Sequence, residues 1–285
     1  MKLVITLFVT FSFSLIADAP DIHTKFLVAV KKGSVAEVES LLKQGAFVDS
    51  MDSDGWPAIS IAAESAKKTD CKIVKTLITA GASNAVENGS DIHLLSRYFK
   101  NAPNCMLILL DNGYDLNTCI RFSENWTVPV FFDIVSASES LNELKPFESR
   151  IDFSKLSADG QSVLTWIMFW KIVNKNGLES LQYAISKGAF VESQEREDNE
   201  QFCRSSTFDE LRWFEYYLSI EPHLANIRCM HFGLEEYMPI ESYIRNKKPK
   251  FLNEKLRLLK EAKVRAETVP LTYTEEWRRS VPKCY

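Results

Sequence analysis

Gly45-Ala46-Phe47-Val48-Asp49-Ser50 returns 143 residues later as Gly188-Ala189-Phe190-Val191-Glu192-Ser193. Self-similarity of this kind decides a fold before local propensity does, because each copy is one structural unit. Between the copies stand Gly81-Ala82-Ser83-Asn84 and Gly113-Tyr114-Asp115-Leu116-Asn117. The glycines therefore step by 36, 32 and 75 residues, the last step being two units. Seven, four and three residues before each glycine the side chains agree: Val38, Leu41, Leu42; Val74, Leu77, Ile78; Met106, Leu109, Leu110; Leu181, Ala184, Ile185. That spacing places three apolar groups on one face of a helix. The glycine then ends the helix, since it alone enters the left-handed region cheaply. Gly45 and Gly188 are expected to be such caps, with positive φ.

A second motif accompanies the first. Asp54-Gly55-Trp56-Pro57-Ala58-Ile59, Asn88-Gly89-Ser90-Asp91 and Asp159-Gly160-Gln161-Ser162 each pair a tight-turn signal with a helix start. Turn, helix, short loop, helix, glycine cap: the order resembles the ankyrin repeat. The first unit carries the resemblance best, from Ala29-Val30-Lys31-Lys32-Gly33 through Val38-Glu39-Ser40-Leu41-Leu42 to Gly45-Ala46. It implies an all-α solenoid of stacked helix pairs joined by short hairpin turns. About seven units fit residues 20–265, with 119–156 and 193–230 degenerate and 266–285 left as a C-terminal tail. In the first degenerate unit Arg150 replaces the glycine and Pro146 shortens the second helix. The last unit restarts at Tyr237-Met238-Pro239-Ile240 and is expected to end in a helix with Leu252, Leu256 and Leu259 on one side.

Residues 1–19 read as an export signal: Lys2, an apolar run from Leu3 to Ile16, then Ala17-Asp18-Ala19, with cleavage after Ala17 or Ala19. The expected address is periplasmic or secreted. No later run is long enough to span a membrane, so the mature chain is expected to lack one. An oxidising compartment permits disulfides among the six cysteines. Cys203–Cys229 is the favoured pair, because it closes the irregular unit on itself. Cys105, before an apolar run, is expected to pack as a small hydrophobe. Asn88-Gly89-Ser90 and Asn125-Trp126-Thr127 are glycosylation sequons.

A 46% hydrophobic, 25% charged chain is not a disordered one, and ten glycines with ten prolines are few for a turn-dense β-sandwich. A net charge of −4 argues against nucleic acid as partner. Twelve Lys and Arg against six Asp and Glu nevertheless fall between Glu241 and Tyr285. That stretch reads as the polar outer face of a capping helix.

Catalytic signatures such as HExxH, GxSxG and phosphate-binding glycine loops are missing. Ser65-Ala66-Lys67-Lys68 has the spacing of a serine acyl-enzyme without its partner motifs, and is expected to be a solvated loop. No catalytic residue, cofactor or metal is therefore expected. His223, Cys229 and His231, with Cys203, do not follow a zinc-ligand spacing.

The expectation is a monomeric, non-enzymatic module that binds another protein. It would do so through hairpin tips and the concave inner-helix face. Met51, Ser53, Trp56, Glu87, Trp126 and Gln161 are the candidate contacts by their place in the repeat. The alternative is a ligand- or metal-responsive protein using residues 193–240, with Phe208 to Tyr217 lining a pocket.

Overall fold

The glycines close helices as their chemistry requires. In the computed structural model Gly33, Gly45, Gly81, Gly113 and Gly188 all have positive φ, from 76° to 103°. After Gly45 the backbone bonds run Gly45 N to Leu42 O and Ala46 N to Leu41 O. After Gly188 they run Gly188 N to Ile185 O and Ala189 N to Ala184 O. Each pair satisfies carbonyls that the last helical turn leaves without partners.

The structure describes residues 21–83, 94–123, 126–138, 141–171, 177–191, 200–231, 236–271 and 279–284. They are mostly helical and fall into two compact units, Met1–Ala82 and Ser83–Tyr285. Residues 1–19, read above as an export signal, the sequons' Asn88 and Asn125, and Glu87 lie outside the described residues.

The first unit holds α1 (Ile22–Lys32), α2 (Val35–Lys43), α3 (Ala58–Ile61), α4 (Ala63–Ala66) and α5 (Lys72–Thr79). The Asp21 side chain caps α1 by accepting from the His23 amide at 2.9 Å. α1 packs on α2, α3 and α4, and α5 packs on α2, α3 and α4. Phe26, Ala29, Val30, Val38, Ile73, Val74 and Leu77 form a core fully shielded from water. Ser65 is not in a solvated loop. It is buried in α4, and its hydroxyl donates to the Val30 carbonyl at 2.8 Å, which leaves no poised nucleophile.

The second unit runs α6 (Leu94–Asn101), α7 (Pro103–Asp111), β1 (Cys119–Ser123), β2 (Trp126–Pro129), α8 (Val130–Ala137) and a 3-10 segment, Leu141–Arg150. It continues with α9 (Val163–Lys171), α10 (Gly177–Ser186), α11 (Glu200–Ser205), α12 (Leu211–Ile220) and a short 3-10 turn, Pro222–Asn226. It ends with β3 (Arg228–His231), β4 (Glu236–Pro239), α13 (Ile240–Lys247) and α14 (Leu252–Ala266). α6 packs on α8, α8 on α9 and α9 on α11, while α7, α10 and α12 each pair with the helix before them. Pro146 lies inside the 3-10 segment, where an α-helical ladder would need its missing N–H.

One device starts three of the helices. Pro57, Pro129 and Pro239 sit in extended backbone immediately before α3, α8 and α13. The next amide in each case returns to the far side of a hairpin: Ala58 N to Ser50 O, Val130 N to Thr118 O, Ile240 N to Ile227 O. Opposite the three prolines lie Met51, Cys119 and Arg228. Only the first hairpin is a short turn. The other two are two-stranded antiparallel ribbons, β1–β2 and β3–β4, which corrects the expectation of short turns throughout.

The C-terminal helices also differ from expectation. α14 buries Lys255, Leu259 and Ala262, whereas Leu252 and Leu256 are half-exposed. The Lys255 ammonium donates to the carbonyls of Ser206 (2.9 Å) and Phe208 (2.6 Å) and lies 5.9 Å from the centre of the Phe214 ring. It thereby terminates the end of α11, which has no glycine to do so. The aromatic side chains expected to line a pocket are instead core: Trp213, Phe214 and Tyr217 are buried, and Phe214 stacks on Phe202 at 4.9 Å, while Glu215 of the same stretch lines a groove against α14.

All six cysteines are oxidised. Cys203–Cys229 bridges Cα atoms 5.7 Å apart, and Cys119–Cys284 bridges Cα atoms 5.5 Å apart across 165 residues of sequence. Cys71 and Cys105 are disulfide-bonded too, so Cys105 is not the simple packing residue expected of it. Such bonds persist in an oxidising compartment. Among the described residues no helix is long and apolar enough to cross a membrane.

Candidate hairpin-tip binding face

Two tips share one geometry. In the first, Asp52 N donates to Trp56 O (3.0 Å) and Gly55 N to Asp52 O (3.0 Å). Asp52 Oδ1 takes the amides of Asp54 (3.0 Å) and Trp56 (2.9 Å). In the second, Ser157 N donates to Gln161 O (3.0 Å), Gly160 N to Ser157 O (2.9 Å), and Gln161 N to Ser157 Oγ (2.8 Å). A short polar side chain closes each loop, as Asx and Ser turns do. Gly55 and Gly160 hold φ of 81° and 80°, a conformation that costs an L side chain about 1–2 kcal/mol.

By this correspondence Met51 stands where Leu156 does, and by the glycine caps Phe47 stands where Phe190 does. The pairs differ sharply in exposure. Met51 is 56% and Phe47 59% exposed, whereas Leu156 and Phe190 are 0% and 1% exposed. The first tip is held from beneath by His23, whose Nδ1 accepts the Phe47 amide at 3.2 Å. Ser50 Oγ donates to Phe47 O. Ser53 is exposed and Trp56 half-buried, so Met51, Ser53 and Trp56 line one tip, with Phe47 beside them. Phe47 escaped notice as a contact, although its place in the repeated hexapeptide was the signal.

Trp126 and Gln161 belong to a second such face. Trp126 starts β2, opposite Ser123, and Thr127 O accepts the Ala158 amide at 2.9 Å, which joins this ribbon to the tip at 157–161. The indole is 39% exposed and meets Trp166 edge-to-face at 5.9 Å. Trp166 meets Phe132 at 6.0 Å, Phe132 meets Phe131 at 4.9 Å, and Phe131 meets Phe153 at 5.8 Å. An exposed anchor fixed by a buried aromatic row loses little freedom on binding. Gln161 is half-buried, and its backbone closes the tip.

Titratable groups behind this face are structural. Burial raises the Asp133 carboxyl, against a smaller lowering effect of the nearby Ser96 hydroxyl. Glu148 is held below the usual carboxylate range by hydrogen bonds from Tyr183 and Lys187. The Tyr183 hydroxyl is raised by burial and by the same bond. These contacts tie the 3-10 segment to α10.

The other candidates disperse. Cys203 and Cys229 are spent on each other and offer no thiolate. His223 faces Glu221, with Nδ1 3.2 Å from Oε1, both buried. Among the described residues no group of three or more His, Cys, Asp or Glu is placed to hold a metal. No family model matches this chain, and no curated protein matches it in sequence.

The grooves lie elsewhere. One, about 770 Å³, runs between α12 and α14, lined by Glu215, Leu218, Leu258 and Val264 with Arg257, Lys260 and Glu261. A second, about 470 Å³, lies where the 3-10 segment meets α7, between Phe99, Pro103, Leu107 and Phe147.

Proposed function

We propose that this is an exported, non-enzymatic scaffold of ankyrin-like units that binds another protein through its hairpin tips and inner-helix face. The carrying observation is the first tip, where Phe47 and Met51 are more than half exposed on a backbone fixed by Asp52, His23 and Gly55. Large apolar side chains held rigid and left in water are the usual anchors of an interface. Trp126, on its aromatic row, is the anchor of the second face. The recurrence of glycine cap, proline helix start and closed tip supports the repeat reading. The successive packing of α6, α8, α9 and α11 supports stacking into a solenoid. The disulfides and the apolar N-terminal stretch support export.

The test is capture of the partner by the intact, oxidised protein in its own compartment. Met51→Asp should weaken capture about tenfold or more while melting stays near wild type, and Trp126→Ala should weaken it as much with a loss of stability from its contact with Trp166. Retained capture by both variants would remove the hairpin tips from the account.

A further inference from the structure

α13 and α14 are joined by Lys248-Pro249-Lys250-Phe251. Both ends of this turn are fixed. Lys248 N donates to Ile244 O at 3.0 Å, closing α13, and Lys255 N donates to Phe251 O at 3.0 Å, opening α14. Tyr243 and Ile244 seat the first helix in the core, and Lys255 and Leu259 seat the second. Two residues of the turn sit in the left-handed region, Lys248 at φ 48° and Phe251 at φ 61°. Glycine takes that conformation without strain, and a residue before proline is normally extended. A phenylalanine there costs stability and, at 42% exposure, buries little in return. Strain kept at such a place belongs with sites of function.

Charge gathers on the same turn. From Arg245 to Glu254 there are four basic residues and one acidic residue. Arg245 is paired with Glu241 at 2.9 Å. Lys247, Lys248 and Lys250 are exposed, and among the described residues none of the three has a carboxylate within ion-pairing distance. Lys250 Nζ lies 5.3 Å from the centre of the Phe251 ring, and Lys247 Nζ 5.7 Å from that of Tyr243. Leu252, half-exposed, adjoins Phe251. An apolar tip thus stands among ammonium groups that nothing neutralises.

We propose that this turn docks on an anionic lipid bilayer, with Phe251 entering the interface and Lys247, Lys248 and Lys250 against the headgroups. Peripheral binding takes two signals, apolar insertion and attraction to anionic lipid, and residues 247–251 carry both. An acidic protein is the other reader of positive charge. A short turn between two helix ends offers a point and not a groove, which suits a broad, deformable surface. Its unpaired cations are lysines, compact charges without the planar fork that arginine offers a carboxylate. α13 separates the turn from the β3–β4 ribbon, so the proposal does not rest on the hairpin tips.

The test is co-sedimentation of the full, oxidised chain with vesicles. It should bind phosphatidylcholine mixed equally with phosphatidylglycerol at least about tenfold more tightly than phosphatidylcholine alone, and lose that advantage as salt is raised. Lys247→Gln/Lys248→Gln/Lys250→Gln should cost about a hundredfold, at about fivefold for each lysine. Phe251→Gly removes the strain together with the ring. Its thermal midpoint should equal or exceed that of wild type while vesicle affinity falls about tenfold. Phe251→Asn, which also tolerates left-handed φ, should bind as weakly. Equal binding to both vesicle types, or full affinity in the lysine or Phe251 variants, would overturn the proposal. So would polyglutamate that displaces the protein from vesicles and binds Phe251→Gly as tightly as wild type, since that marks an acidic protein as the partner.

Discussion

Replacing Gly33 and Gly45 by alanine separates two costs at the glycine-closed ends of α1 and α2. At Gly45 φ is 98° and an added Cβ meets no atom within 4 Å, so Gly45→Ala pays backbone strain alone. That is about 1–2 kcal/mol for an L-residue in the left-handed region. At Gly33 φ is 76°, but the new Cβ would stand 2.8 Å from Thr69 Cγ2 and 3.0 Å from Ser65 Cβ. Neither neighbour swings away freely. Ser65 is locked to Val30 O, and the Thr69 hydroxyl lies within hydrogen-bonding reach of the carbonyls of Ser65 and Ala66. Overpacking adds about 1–3 kcal/mol, which brings Gly33→Ala to roughly 2–5 kcal/mol. Equilibrium urea melts followed by far-UV circular dichroism, with disulfides intact, measure both. Gly188→Ala, with φ of 103° and open space, should track Gly45→Ala. Equal losses at Gly33 and Gly45 would refute the packing of α4 against α1. No loss at Gly45 and Gly188 would refute the caps.

Lys255→Met should destabilise by about 2–5 kcal/mol, because the Ser206 and Phe208 carbonyls lose their donor. Burial lowers the Lys255 pKa to about 8, opposed by Asp209. The native state therefore sheds its proton before the unfolded chain does, so stability rises as pH climbs from about 8 to about 10.4. Urea midpoints across that range should climb in wild type and stay flat at this step in the methionine variant. Cys203→Ser/Cys229→Ser opens a loop whose ends are 26 residues apart and should cost about 3–4 kcal/mol in thermal melts. Mass spectrometry of the exported protein should find residues 1–17 or 1–19 removed; intact Met1 on the folded, oxidised chain would contradict export.

The caps were legible because glycine is irreplaceable at positive φ, and the tip at 52–56 because Asp-Gly writes its turn locally. The two ribbons were not, since β1–β2 and β3–β4 lack that dipeptide among their paired residues. Their signal was proline before an apolar helix start, at Pro129 and Pro239, which matches Pro57. Lys255 on a buried stripe could not be foreseen, because its partners are carbonyls of residues 47 and 49 positions away. Nor could the Cys119–Cys284 bond, whose partners are 165 residues apart. The repeated hexapeptide marked Phe47 and Phe190 as alike, yet Phe47 is exposed and Phe190 is buried in a cluster with Leu156 and Val281. Trp126, a candidate contact by its place in the repeat, is the outer end of a buried aromatic row, which fixes it without hiding it.

The central claim is that the tips, and not the second helices, meet the partner. A photo-crosslinking residue placed at position 51, 126, 75 or 260 of the full chain, activated in the native compartment, tests it directly. Lys75 on α5 and Lys260 on α14 are exposed controls on second helices of their pairs. The account predicts one protein adduct common to positions 51 and 126 and none at 75 or 260. An adduct at 75 or 260 with none at 51 and 126 would contradict it.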